Sequence, residues 1–420
     1  MKIFKNKKRK YIIITSLVSI FAVTGLIITY YNFIPKEEPL IGAYIDGTYS
    51  ETLPSKGSGY KVDKIVCDNN KNASWDYDKW GIKLSNWGTR SRCNIYFKGL
   101  ESFILDNKTF YLDEMQRCPT MNSDGTVTVT EVESQYGYLC KAKDAYGDSY
   151  YYRGNVTNNY VKFAGFYWRI IRINGDGTVR VIYDGTSAHA NGEPSEDRRI
   201  GISAFNISDN DNAYVGYMYG KTGASTYAET HANTNNSAIK TYLDTWYENN
   251  IKGTTNEQYV KDNLFCNDRS MSSSTPNGYS NKGYGVEKTA YRWNYFANSS
   301  YNNKMMLTCS QKNDAFTVND TSKGNGALTY GVGLVTTDEV VLAGGWNLKN
   351  SKYYLYSGEN YWTMSPIYFD GSVALERRVG LEGGFGGSGV RSTWVARPVL
   401  NLGSEILKNG NGTASDPYHA

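Results

Sequence analysis

Apolar and polar positions change rhythm several times along this 420-residue chain, and each rhythm predicts a different element. Residues 11–34 form an uninterrupted uncharged stretch. As a helix of 24 residues at about 1.5 Å each it reaches roughly 36 Å, enough for a bilayer core of about 30 Å with some tilt. The run is longer than the apolar region of a cleavable leader and ends in Ile28-Thr-Tyr-Tyr-Asn-Phe-Ile without a small-residue cleavage site, which predicts a retained signal anchor. Pro35, Pro39 and the charges between them read as a short stalk.

Beyond the stalk the rhythm is mostly that of strands. From 41 to 99 apolar residues alternate in short runs broken by Gly and Asn, which predicts a small all-β, sandwich-like domain with Trp75, Trp80 and Trp87 as core or strand-pair aromatics. Residues 100–160 read as a connecting subdomain around a hairpin, in which Asp124-Gly125 turns the chain into the β-branched run from Val127. Residues 161–183 carry the clearest strand-turn-strand signal, two alternating runs meeting at Asn174-Gly-Asp-Gly.

A helical period then takes over. Ile239, Tyr242, Leu243, Trp246 and Tyr247 share one face of an amphipathic helix, read as core packing. Shorter helices are expected over 257–264 and from Thr336, where a Thr cap precedes acidic first-turn residues. Strands return at 361–366, 372–379 and 393–402. The whole pattern predicts a transmembrane helix, a small all-β domain and a mixed α+β domain over 161–420.

Charge sets the topology. Lys2, Lys5, Lys7, Lys8, Arg9 and Lys10 precede the apolar stretch with no acid among them, which predicts a cytoplasmic tail over 1–10 and an exported remainder. The net charge is +4, but without those six residues 39 basic face 41 acidic side chains, a net of −2. A nearly neutral exported region lacks the clustered basic face that nucleic-acid binding needs. All six cysteines lie in that region. Pairing neighbours in sequence keeps each bridge inside one unit, so Cys67 with Cys93, Cys118 with Cys140 and Cys266 with Cys309 are expected. Closing the loop from 67 to 93 stabilises by about 3 to 4 kcal/mol in the chain-entropy picture. Zinc is the weaker reading, because there is no Cys-x-x-Cys and the histidines are His189, His231 and His419.

Several motifs dissolve on inspection. Gly384-Phe-Gly-Gly-Ser-Gly389 matches the dinucleotide-binding spacing, but a strand pattern follows it where a helix is required. The six glycines of 380–389 are instead read as an exposed mobile loop. Leu53-Pro-Ser-Lys-Gly57 reads as a turn, not a sorting signal, since no apolar C-terminal tail follows. Asn206, Asp209, Asn210, Asp211 and Asn212 offer oxygens for Ca²⁺, but the spacing lacks the EF-hand glycine and glutamate and a solvated turn is favoured. No nucleophile stands out with a base, so no catalytic residue, cofactor or metal ligand is assigned.

An aromatic and arginine-rich tract near the C-terminus remains. Aromatic and Arg side chains supply rigid contact area with a polar handle, the chemistry of recognition surfaces. Trp346, Tyr354, Tyr368, Phe369, Asp370, Arg377, Arg378, Phe385 and Arg391, in the loops at 346–359, 366–371 and 377–392, are the candidate contacts.

The phrases Tyr167-Trp-Arg-Ile-Ile-Arg-Ile-Asn-Gly-Asp-Gly, Phe265-Cys-Asn-Asp-Arg-Ser, Tyr361-Trp-Thr-Met-Ser-Pro and Ala396-Arg-Pro-Val-Leu-Asn-Leu resemble an uncharacterised group of surface proteins from Gram-positive-type bacteria. Their ending is similar to a domain of unknown function related to the formylglycine-generating-enzyme branch of the C-type-lectin-like fold. The resemblance implies a compact α+β domain with a variable ligand-facing edge. It does not carry over the oxidase activity, which uses a close cysteine pair with copper. Trp362 and Arg397 match family phrases and are expected in the core. The expected function is that of a membrane-anchored surface protein recognising an external protein or glycan. An envelope-modifying enzyme and a structural envelope subunit are the alternatives.

Overall fold

The computed structural model describes residues 41–420 apart from 55–59, 69–72, 77–78, 85–91, 100–117, 134, 273–288, 296–302 and 347. The anchor expected over 11–34, the basic tail and Trp87 lie outside the described residues. The chain divides into one unit of residues up to 54 with 62–98, and a second of 55–61 with 99–420.

The short alternating runs form a four-stranded sheet, most of it from the first unit, in the order Thr48–Ser50, Ile41–Ile45, Cys93–Gly99, Tyr60–Cys67. Ile41–Ile45 runs parallel to Cys93–Gly99, with Ala43 opposite Ile95 and Ile45 opposite Phe97. Ala43, Ile95 and Phe97 are buried. A separate hairpin, Ala73–Asp76 with Gly81–Leu84, brings Trp75 edge-on to Phe97 at 5.2 Å and to Trp80 at 5.4 Å. Such pairs add about 0.5–1.5 kcal/mol each beyond area burial. Cys67 and Cys93 are bridged across neighbouring strands.

The second unit is built on two larger sheets. A seven-stranded sheet runs in the order Val332–Gly333, Val399–Leu402, Val179–Gly185, Phe166–Ile173, Gly147–Gly154, Gly137–Asp144, with Tyr160–Phe163 also paired to Phe166–Ile173. A six-stranded sheet runs Gly201–Ala204, Thr393–Ala396, Tyr361–Phe369, Ala374–Val379, Phe385–Gly389, with Thr289–Ala290 on Tyr361–Phe369. Gly137–Asp144 and Gly147–Gly154 lie inside the stretch read as a separate connecting subdomain, so its described part, from Cys118 on, belongs to this unit. Cys118–Cys140 and Cys266–Cys309 are also bridged, and no cysteine is free.

The two Asp-Gly turns use the same chemistry. Asn122 N–H donates to the Thr126 carbonyl at 2.7 Å, and Asp124 accepts from the Thr126 amide and hydroxyl. Asn174, Asp176 and Thr178 repeat this arrangement at 2.8 Å, 3.0 Å and 2.7 Å. Gly125 and Gly177 both adopt φ of +83°, a conformation that costs glycine nothing.

The expected α+β class is corrected: the described residues are 38% strand and 14% helix, which makes them mostly β-sheet. Among the described residues three α-helices occur, Tyr227–Thr230, Ala238–Asn250 and Thr337–Leu342. Only 238–250 sustains a helical period long enough to propagate. The stretch expected to be helical over 257–264 makes one 3-10 turn, Glu257–Tyr259, and then joins the seven-stranded sheet, Lys261 N–H donating to the Asn401 carbonyl at 2.8 Å. Thr336 does cap the last helix, in a capping box closed by Glu339. No helix among the described residues is long and apolar enough to cross a membrane.

Candidate functional site

The glycine-rich segment is not a loose loop. Phe385–Gly389 pairs with Ala374–Val379, Val379 opposite Phe385 and Leu375 opposite Gly389, leaving a tight turn over 380–384. That turn lies backbone to backbone on Trp346, Leu348 and Asn350. Phe385 N–H donates to the Trp346 carbonyl at 3.0 Å, and Asn350 N–H to the Glu382 carbonyl at 2.9 Å. A Cβ at Gly383, whose φ is +81°, would stand 1.7 Å from the Asn350 carbonyl oxygen, so no other residue fits there.

The clamped turns enclose an open cleft of about 390 Å³ lined by Leu348, Asn360, Arg378, Leu381 and Phe385 among others. Leu348 and Leu381 are 61% and 57% exposed. Arg378 lies 5.0 Å over the Trp394 ring and donates to Asn360 Oδ1. Burial lowers its pKa from the usual guanidinium value. Lys349 and Glu382 pair at the rim, a contact that solvent screens.

The sequence candidates divide between this cleft, the core and a distant turn. Arg378 and Phe385 line the cleft. Trp346 and Phe385 belong to a buried cluster with Trp293, and Tyr354 and Phe369 are fully buried in the main core. Tyr354 donates to backbone carbonyls of Tyr152 and Ile171. Arg377 is buried, donates to the Trp293 carbonyl at 2.6 Å, and has its pKa pushed down to about 10 by burial. These four side chains are therefore corrected from loop contacts to packing elements: Trp346, Tyr354, Phe369 and Arg377. Tyr368 is half-buried opposite Ala290 and Leu375. Asp370 caps the hairpin turn, accepting from Ser372 and Val373 amides. Four residue steps at about 3.3 Å separate positions 374 and 378, so Asp370 lies more than about 13 Å along the strand from Arg378. Arg391 is exposed, 3.8 Å from Asp209, whose backbone carbonyl accepts from Ala374.

Other charge clusters were not legible in the sequence. Arg172 joins Asp144 at 2.6 Å and Glu339 at 3.2 Å, Glu339 meets Arg180, and Arg292 joins Asp268 and Asp338. Burial raises the Glu339 pKa, but Arg180 and Arg172 outweigh it and hold the carboxyl low. The cavity between these pairs is about 20 Å³, room for one water molecule and too small for a substrate.

His189 lies between two carboxylates, Nδ1 3.0 Å from Glu193 and Nε2 2.8 Å from Asp197. Ser187 Oγ is 3.4 Å from the same Nε2 and 3.2 Å from Asp197. The i, i+4 and i+8 spacing of His189, Glu193 and Asp197 was the available signal. Activating a serine needs a ring nitrogen aimed at its hydroxyl, and here Asp197 holds that nitrogen more closely. The arrangement orders the loop after Gly185. In the candidate Ca²⁺ loop, Asp211 oxygens accept from Ala213 and Gly223 amides, and Asn212 Oδ1 accepts from the Tyr291 hydroxyl. Trp362 and Arg397 are buried as expected, Arg397 against Asp184 at 3.0 Å.

No family model, no curated protein and no solved structure matches this chain.

Proposed function

We propose that this is a membrane-anchored cell-surface binding protein whose exported region grips an external protein at the cleft beside the glycine-rich hairpin. The observation that carries the reading is the pair of exposed leucines, Leu348 and Leu381, which line a preformed depression together with Arg378. Exposed apolar groups grouped around an arginine are the composition of interface centres. The Gly383 and Gly384 contacts hold both walls in place before a partner arrives, which lowers the ordering cost of association.

The anchor and topology rest on the uncharged stretch 11–34 after a basic tail. Disulfide pairing of all six cysteines suits an oxidising compartment. The phrases shared with Gram-positive-type surface proteins point the same way.

An array of extracellular proteins probed with the full chain in detergent tests the reading. Leu348→Asp with Leu381→Asp should leave the melting temperature unchanged and reduce binding at least tenfold. Undiminished binding by the double variant would overturn the site. Glycan binding abolished by those same changes would replace the protein ligand by a sugar.

A further inference from the structure

Helix Ala238–Asn250 buries Ile239, Leu243 and Tyr247, as its apolar period requires. Tyr242 and Trp246, one turn apart on the same stripe, are only half-buried. Together with Ile207, which is 70% exposed, they line an open groove of about 610 Å³, within the size range of ligand sites. Both rings are fixed in advance. Trp246 packs against Phe166, Trp168 and Tyr183 at 5.8, 5.9 and 6.1 Å between centroids, and the Tyr242 hydroxyl donates to the Ile200 carbonyl at 3.3 Å.

The rest of the lining is uncharged: Ser, Thr, Asn and Ala side chains, with no Asp, Glu, Lys or Arg among the lining residues. Thr241 and Thr245 donate their hydroxyl protons to carbonyls one turn back, at 3.0 and 2.9 Å, which leaves oxygen lone pairs as acceptors. Asn236 and Asn249 are exposed and carry both donor and acceptor. An ionic ligand would lose hydration here without meeting a counter-charge, and an aliphatic ligand would desolvate the Asn and Thr groups without replacing their hydrogen bonds.

We propose that this groove binds a neutral saccharide, stacked by its C–H face on the Tyr242 and Trp246 rings. A sugar ring has that apolar face and an edge of hydroxyls that both donate and accept, which the Asn and Thr rim matches. The site is separate from the Leu348 cleft and does not depend on it.

Titration calorimetry and tryptophan fluorescence of the full chain in detergent, with maltotriose, cellotriose, mannotriose and triacetylchitotriose, test it. At least one trisaccharide should bind at millimolar concentration and perturb tryptophan emission, while trigalacturonate, charged and of equal length, should bind at least tenfold more weakly. Trp246→Ala removes core packing and can unfold the helix, so Thr245→Arg, at an exposed position, is the decisive variant. It should retain the melting temperature and lose saccharide binding. Failure of all four sugars to bind, equal binding of trigalacturonate, or unchanged binding by T245R would each overturn the proposal, and L348D/L381D should leave saccharide binding intact.

Discussion

Glu376 is fully buried on the strand Ala374–Val379, and neither of its carboxyl oxygens has a hydrogen-bond partner among the described residues. Burial raises its pKa well above the ordinary value of 4.5, with Arg269 offsetting only part of the effect. A raised carboxyl favours the folded state fully below the unfolded pKa and loses that contribution as pH rises. Glu376→Gln should therefore melt close to the wild type at pH 4 and increasingly above it toward pH 8. Asp197 has the opposite sign. Burial pushes its pKa up, but bonds from His189, Thr186 and Ser187 prevail and lower it from 3.8 to about 2. Its contribution is present above pH 3.8 and fades as pH falls toward 2, so the deficit of Asp197→Asn at pH 7 should shrink over that interval. Melting curves of both variants across pH check the pair; parallel, pH-independent offsets would refute it.

At the scale of elements, the last helix depends on its cap. Thr336 accepts from Glu339 N–H at 3.2 Å, and Glu339 returns a bond to Thr336 N–H at 2.9 Å. Thr336→Ala should cost about 1 kcal/mol, within the range of about 0.5–2 for such caps, seen as a lower denaturation midpoint at unchanged slope. A loss above about 3 kcal/mol would mean that Glu339 had also left Arg172 and Arg180, as breaking a buried pair costs about 3–5 kcal/mol. The cap was legible because it is written in four consecutive residues, and the Asn-x-Asp-Gly-Thr turns were legible for the same reason. The partners of Glu339 were not, since Arg172 lies 167 residues away and nothing in its neighbourhood marks it as inward. The candidate site divides the same way. Arg378 and Phe385 meet in the cleft because one hairpin carries both, whereas Tyr354 and Phe369 look identical in composition whether they face water or the core. The helical stripe reads as uniform packing, whereas only Ile239, Leu243 and Tyr247 are buried and Tyr242 and Trp246 stand half-buried beside the groove.

For the molecule as a whole, the two units stand on different supports. The first has a small core, and its 26-residue separation between Cys67 and Cys93 corresponds to about 3 to 4 kcal/mol of loop-closure stabilisation. Reduction of the full chain should open that unit at lower temperature than the second, read by hydrogen exchange in Cys93–Gly99 against Val179–Gly185. Simultaneous exchange in both strands would show that the bridges act on one cooperative block. Chemical durability has a further source in the turn at residue 174. An Asn-Gly pair ages when the following amide nitrogen attacks the asparagine carbonyl and closes a succinimide. Here the Gly175 nitrogen donates to Asp144 Oδ2 at 2.9 Å, and the Asn174 amide is tied to Thr178 and Asn401. Both reactants are engaged elsewhere as long as the sheet is intact, so deamidation at this site keeps time with unfolding instead of with the age of the polypeptide.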